Sequence, residues 1–417
     1  MKARLQPSLR ELRGYPGQFW VLVLVIFIYV GAAALAFPYE GIYLHRVLGV
    51  SMSWVGVLFG LVPAAAMPLQ IWGGHLTDRL GRRSMLVVSV ASGVVWFVGF
   101  AYVREIWQVA VLVAVESSFG WPLFQTASNA MVADLLPEAR RQEAFSVTRV
   151  AMNLGVVLGP ALAGLALGWG VSFRHLFLAA AAGCALILVT VVLRVHESRP
   201  AAAAAPIAPV DAAGRSGYGI VLADRRFLVF CAVAVLPVFC IGNFGSIYSV
   251  YITSYLGVAY GTWGWLLAMN ALIVALVQYP LVRALKWRNR MVLLAAASGL
   301  LGTGIGGSAF AGALWTLVAL VAVMSLGEVL LAPVAAAEVA DVAPELVRGR
   351  YMGVWTVVWN GGAALGPAFG GWAMDAIGGR QAFFVLLLVG LAGAALFLTL
   401  APSWRARRAA RAHTSVA

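Results

Sequence analysis

Long apolar runs separated by short polar interruptions fill almost the whole chain. Twelve runs are long enough to cross a bilayer as α-helices, which needs about 20 residues each. Their approximate limits are 19–44, 52–73, 84–103, 107–133, 144–169 and 175–194, then 227–252, 260–285, 291–310, 313–338, 351–374 and 381–400. The stretch 195–226 breaks the pattern. Its RPAAAAAPIAPVDAAGRS is rich in Ala and Pro and has no apolar period long enough to span. It reads as a linker. The chain thus divides into a six-span half (1–194), a linker (195–226) and a second six-span half (227–417) with a basic tail.

Composition agrees with the spans. Of 417 residues, 62% are hydrophobic and 11% charged, where a soluble protein carries about 25% charged residues. The net charge of +13 could suggest nucleic acid. The basic residues, however, lie in short loops between apolar runs, so no nucleic-acid partner is expected. With both termini placed in the cytoplasm, 25 of the 29 Lys and Arg fall on the inner side. Only Arg46, Arg104, Arg174 and Arg380 fall outside, and this imbalance predicts the orientation. No cleavable signal peptide is apparent: residues 1–18 are basic and the first apolar run is long enough to span. Cys184, Cys231 and Cys240 lie in apolar runs without disulfide or metal spacing. No metal or cofactor is expected.

One charged interruption stands out. Gly74–Arg83 reads GHLTDRLGRR between two apolar runs, as a short loop between membrane helices would. Gly74 would let the preceding helix end pack closely on a neighbour. Gly81 permits a positive φ in the turn. Asp78 can pair with an arginine or cap the next helix. Arg79, Arg82 and Arg83 would hold the loop on the cytoplasmic side. The string resembles the loop 2–3 signature of the major facilitator superfamily, Gly-x-Leu-Ala-Asp-Arg-x-Gly-Arg-Lys, with Thr77 for Ala and Arg83 for Lys. The resemblance makes these residues a conformational switch. Asp134 with Arg140 or Arg141, at the inner end of span 4, is expected to join it. Asp341 with Arg348 or Arg350 should do the same in the second half.

The halves repeat each other. Ala133-Asp134-x-x-Pro137-Glu138 returns as Ala340-Asp341-x-x-Pro344-Glu345, Asn153 as Asn360, and Gly159-Pro160 as Gly366-Pro367, all 207 apart. Leu48-Gly49-Val50 matches Leu256-Gly257-Val258 and Gln70 matches Gln278, 208 apart. A near-constant offset implies duplication. The second copy of the opening stretch, LVRALKWRNR at 281–290, is degenerate, with Lys286 in place of Asp78. Facilitator-superfamily transporters consist of two parallel six-helix repeats with the substrate site between them near midplane.

Span 5 carries Gly155-x-x-x-Gly159-Pro160-x-x-Ala163-Gly164, and span 11 carries Gly362-x-x-x-Gly366-Pro367-x-x-Gly370-Gly371. Glycines four apart let helices approach closely, and proline kinks a helix. The pattern resembles the motif of the antiporter branches of the superfamily, which implies export.

Ionisable groups inside spans are costly and point to function. Glu116 lies near the middle of span 4, where the family usually has Arg-x-x-x-Gly; that arginine is usually linked to proton coupling. A carboxylate held in an apolar interior can itself exchange a proton. Glu328 lies near the middle of span 10, between Gly327 and Pro333. It is favoured over Glu116 as the coupling residue because nothing basic is predicted at its depth. Glu40, near the outer end of span 1, is the third coupling candidate, or simply wet. Glu338 reads as interfacial. Arg149 could neutralise Glu116, meet an anionic group or snorkel to the surface. Polar and aromatic residues cluster on spans 1 and 7 (Tyr39, Tyr43, Asn243, Tyr248, Tyr251) and on 2 and 8 (Gln70, Asn270, Gln278). Spans 4, 5 and 11 add Trp121, Gln125, Asn129, Asn153, Trp355, Trp359 and Asn360. Each alone reads as an interhelical hydrogen bond or interfacial aromatic; together they fit a cavity for amphipathic organic molecules.

The five histidines fall in loops, ends or tails, with no nucleophile elbow or phosphate-cradling loop, so an enzyme is not expected. The resemblance implies an all-α integral membrane protein of the major facilitator fold: twelve transmembrane helices as two parallel six-helix repeats. It further implies a transporter most like the drug:proton antiporter branch, in the cytoplasmic membrane of a prokaryote. Its partners would be a small-molecule substrate, protons and the lipid bilayer, and it is expected to act as a monomer. An importer or facilitator of a sugar, peptide or other metabolite stays open.

Overall fold

The computed structural model describes residues 14–198, 217–344 and 347–414, by backbone alone at 66–79, 138–139, 217–218 and 403–414. Twelve helical segments follow one another: α1 Gly17–Arg46, α2 Met52–Leu80, α3 Arg82–Tyr102, α4 Ile106–Leu135, α5 Glu138–Gly168 and α6 Phe173–Arg194, then α7 Arg225–Tyr255, α8 Tyr260–Leu285, α9 Arg290–Phe310, α10 Leu314–Val342, α11 Arg348–Ile377 and α12 Gly379–Thr414. A short helix, Gly217–Ala223, precedes α7. Ten of the twelve are long and apolar enough to cross a membrane, and α2 adds a shorter apolar stretch, Met52–Ala65. Helices suit a bilayer because each satisfies its own backbone without water.

Two local expectations are corrected. The loop predicted from Gly74 onward is helical: α2 continues to Leu80, and the turn shrinks to Gly81, at φ 93°. Gly73 and Gly74 cost the helix only about 1 kcal/mol each, too little to end it there. Span 4 is not one uninterrupted helix. It breaks at Gly120 (φ −86°, ψ −119°), with Pro122 opening the second segment. Span 7 is interrupted likewise after Gly242 and ends in a π-turn, Tyr251–Tyr255.

Packing groups the residues into two compact units. The first comprises residues 1–36, 68–163 and 171–207. Here α3 lies on α6 and α4, and the bare face of Gly93 admits Tyr29 and Cys184. The second unit comprises residues 37–67, 164–170 and 208–417. It therefore joins α7–α12 to the later part of α1, the start of α2 and the end of α5. Within it Gly56 of α2 packs on Pro367 and Gly371 of α11, and Gly164 of α5 on Gly261 and Gly264 of α8. Its core is aromatic: Trp263, Tyr248, Tyr251 and Phe383 are buried together, with the Tyr251 and Phe383 rings stacked at 4.0 Å.

Candidate functional site

In the second unit the side chain of Glu328 leaves α10 beside Gly327, whose missing side chain lets α9 press close at Ala297 and Leu301. The amide of Asn270, on α8, donates to Glu328 Oε2 at 3.0 Å and to Ser325 Oγ at 3.0 Å. Ser325 in turn donates to the carbonyl of Val321 at 2.7 Å. Glu328 is half-buried, and its hydrogen-bond partner among the described residues is the neutral amide of Asn270. Such a carboxylate is held in place without a permanent counter-charge, so the protonated and ionised forms can share one geometry.

Glu116 is differently placed. Its carboxylate accepts the hydroxyl of Ser92 at 2.9 Å and the backbone N–H of Trp121 at 3.1 Å. It thereby covers the helix start that the break at Gly120 exposes. Any Cβ on Gly120 would collide with this carboxyl group. The Trp121 ring lies parallel to Tyr29, 6.3 Å between centroids. No hydrogen bond or ion pair ties Glu116 to Arg149 among the described residues. Arg149 instead lines a cavity of about 630 Å³ in the first unit, with Gln125, Asn129, Gln142, Phe145 and Ser146. Glu40, which the sequence left as a coupling candidate or a wet group, is fully buried.

Several residues assigned to a cavity are packing elements. Tyr248 shares a 2.7 Å hydrogen bond with Ser308 and Tyr251 donates to the Ser308 carbonyl at 3.4 Å, both from buried positions. Asn243, fully buried, donates to the carbonyl of Phe239 at 2.9 Å. Tyr39 donates to the carbonyl of Tyr260 at 3.3 Å. Trp355 is buried against Phe230, and the Trp359 ring meets it edge-on at 5.9 Å. Asn153, Asn360, Gln278 and Tyr43 are half-buried, and Gln125, Asn129 and Trp121 are uncovered. The side chain of Gln70 lies outside the described residues.

The charged cluster forms around Arg82. Its Nε lies 2.5 Å from Asp134 Oδ2, to which Ser198 also donates at 3.1 Å. Glu197 caps α3, accepting the N–H groups of Arg82 at 3.0 Å and Arg83 at 3.2 Å. Gly81 is needed here twice, for its positive φ and because a Cβ would strike the Glu197 carboxylate. Arg83 donates to the carbonyl of Val192 at 2.7 Å. Arg141 donates to the carbonyl of Ala133 at 3.0 Å, and Arg140 lies 6.0 Å from the Tyr15 ring centre. The side chains of Asp78 and Arg79 and the packing of Gly74 are outside what is described.

The second half repeats the pair with another arginine. Arg290 bridges Asp341 at 2.7 Å and Glu338 at 3.0 Å. The pattern pointed to Arg348 or Arg350 at the start of α11; Arg290, at the start of α9, is a further partner that it did not name. Glu338, four residues before the end of α10, is 1% exposed and ion-paired. Arg290 follows Arg82 by 208 residues and Asp341 follows Asp134 by 207, so the duplication offset carried the signal for Arg290 even though its surrounding motif is degenerate. Two further residues had no local signal. Glu197 is one, and Asp375 is the other. Asp375, near the end of α11, accepts the N–H groups of Met52 (3.2 Å) and Ser53 (2.7 Å) and the Ser53 hydroxyl (2.6 Å), capping α2.

The glycine motifs do pack helix on helix. Gly155 and Gly159 meet the backbone of α1 around Gly31, with Pro160 following in the same helix. Gly362, Gly366 and Gly370 meet α7 at Val238, Phe239 and Asn243, and Gly371 meets Met52 of α2 beside Pro367.

Twelve helices in two duplicated sets, with carboxylates inside the spans and broken helices beside them, define a polytopic membrane transporter. The chain belongs to the Major Facilitator Superfamily, whose family model matches residues 19–249 and 230–416. It is 27% identical over 405 residues to the multidrug resistance protein MdtH of Klebsiella pneumoniae (strain 342), covering 92% of this chain and 93% of that one. It is 26% identical over 366 residues to a Na(+), Li(+), K(+)/H(+) antiporter of Planococcus maritimus, covering 80% and 84%. Its fold is similar to that of a POT family transporter crystallised with a thioalcohol-conjugated peptide, with a TM-score of 0.75 at 15% identity, covering 94% and 97%.

Proposed function

We propose that this transporter exports a small amphipathic organic solute across the cytoplasmic membrane of a prokaryote in exchange for protons. It works by alternating access of its two halves as a monomer, with both termini in the cytoplasm. The observation that carries the coupling is Glu328, a carboxylate inside α10 whose hydrogen-bond partner is the neutral amide of Asn270. An ionisable group at that depth is retained at a cost, which favours a functional role. Glu116 is the weaker candidate, because it is committed to Ser92 and to the start of a helix segment. The antiporter-type glycine motifs in α5 and α11 support exchange. So do relatives named as a multidrug resistance protein and as a cation/H(+) antiporter. The 25 inner against 4 outer basic residues support the orientation.

A thermal-shift screen of purified protein against amphiphiles, peptides and sugars supplies a substrate for the test. In proteoliposomes, adding that substrate should drive proton movement with the parent protein and with Glu116→Gln, and not with Glu328→Gln. If both variants still move protons, the coupling residue lies elsewhere, with Glu40 next. If substrate crosses and the parent moves no protons, a facilitator replaces the exchanger.

A further inference from the structure

The cavity between the second segment of α4 and α5 holds one ionisable side chain, Arg149. An arginine stays charged at any relevant pH. Counted from Glu138, it lies roughly 16 Å along α5 at 1.5 Å per residue, well inside a helix of 31 residues. A cation inside a span needs an opposite charge, water or a surface within reach. Among the described residues, the acids of the same unit are engaged elsewhere, Glu105 in the capping box that opens α4. Glu116 holds Ser92 and Trp121, Asp134 pairs with Arg82, Glu143 accepts the Tyr15 hydroxyl, and Glu197 caps α3. Arg149 is exposed and has no hydrogen bond or ion pair among the described residues. Around it stand the neutral side chains of Gln125, Asn129, Gln142 and Ser146, with Phe145 as the aromatic wall.

We infer that this cavity is an anion-recognition subsite, taking the carboxylate of an amphipathic organic acid on Arg149. The planar guanidinium offers two parallel N–H donors that match a carboxylate. The amide and hydroxyl groups of Gln125, Asn129 and Ser146 can complete its remaining lone pairs, and Phe145 seats the apolar body. One fixed positive charge balances a monoanion, and water reaches this open cavity. The volume of about 630 Å³ suits a small organic molecule. The inference rests on the transport reading and adds to it the charge of the substrate.

The test uses purified full-length protein and three probes of one shape: 2-naphthoate, neutral 2-naphthamide and cationic 2-naphthylmethylamine. Calorimetric titration should show naphthoate binding about tenfold more tightly than the amide, a difference of about 1.4 kcal/mol, and more tightly still than the amine. Arg149→Gln, checked for a monodisperse folded product, should erase the preference for naphthoate, and Arg149→Lys should keep part of it. Equal binding of naphthoate and naphthamide by the parent, or a preference that survives Arg149→Gln, overturns the subsite. Failure of the exchange reading looks different: naphthoate preference persists while substrate moves no protons in vesicles.

Discussion

Glu116 accepts the backbone N–H of Trp121 at 3.1 Å, across the break that Gly120 makes in α4. The residue 207 positions beyond Trp121 is Glu328, and the one beyond Gly120 is Gly327. Each half thus holds a carboxylate beside the corresponding glycine of its fourth helix. In the first it reaches forward from the preceding turn; in the second it stands at the position itself. The geometry makes Glu116 a cap. Glu116→Ala should lower stability by about 2 kcal/mol through two lost hydrogen bonds, and Glu116→Gln by less, because its carbonyl still accepts the Trp121 N–H. Thermal unfolding in detergent reads both, and equal losses would count against the capping role.

Arg290 holds two acids, one of them 1% exposed. Arg290→Met would take a charge partner from the buried Glu338, a loss of about 3 kcal/mol. Adding Glu338→Gln removes the stranded charge and should recover part of that stability. A double variant less stable than Arg290→Met by the full cost of Glu338→Gln alone would show that the two residues do not interact.

Asp375 caps α2 from α11 with a single carboxylate. Asp375→Ala should cost about 1 kcal/mol, the usual scale of a lost N-cap. Ser53→Ala should cost less, since the two backbone N–H bonds remain. A thermal midpoint unchanged by Asp375→Ala would mean that water replaces the cap without loss.

Two glycines of α5 give opposite expectations. A Cβ on Gly159 would lie 2.7 Å from the Gly31 carbonyl oxygen and 2.8 Å from the Leu35 nitrogen, both backbone atoms that cannot swing away. A Cβ on Gly168 meets nothing within 4 Å. Gly159→Ala should lose about 1–3 kcal/mol by overpacking, and Gly168→Ala should be neutral. Thermal stability of the two purified variants makes the comparison.

Some of the site was legible in the chain itself. Glu328 and Glu116 stood out because charge inside an apolar run is rare. Asp134 and Arg82 stood out through the charged interruption near them. Tyr248, Tyr251 and Asn243 looked like cavity residues by type, yet they are buried among Ser308, Phe383 and Phe239. Side-chain chemistry does not show which way a helix face is turned.

The number and order of the helices, the duplication at 207–208 residues and the uneven spread of basic residues were determined by sequence alone. A helix in a bilayer must satisfy its own backbone, so a local run of apolar residues suffices to specify it. Partners were decided only in three dimensions: Asn270 for Glu328 at 58 residues' separation, Arg290 for Glu338 at 48, and Asp375 for Ser53 at 322. In water a buried helix face announces itself by its apolar stripe. In lipid the outward face is as apolar as the inward one. Hydrophobic periodicity then carries no rotation, and the rotation of each helix decides which side chains meet.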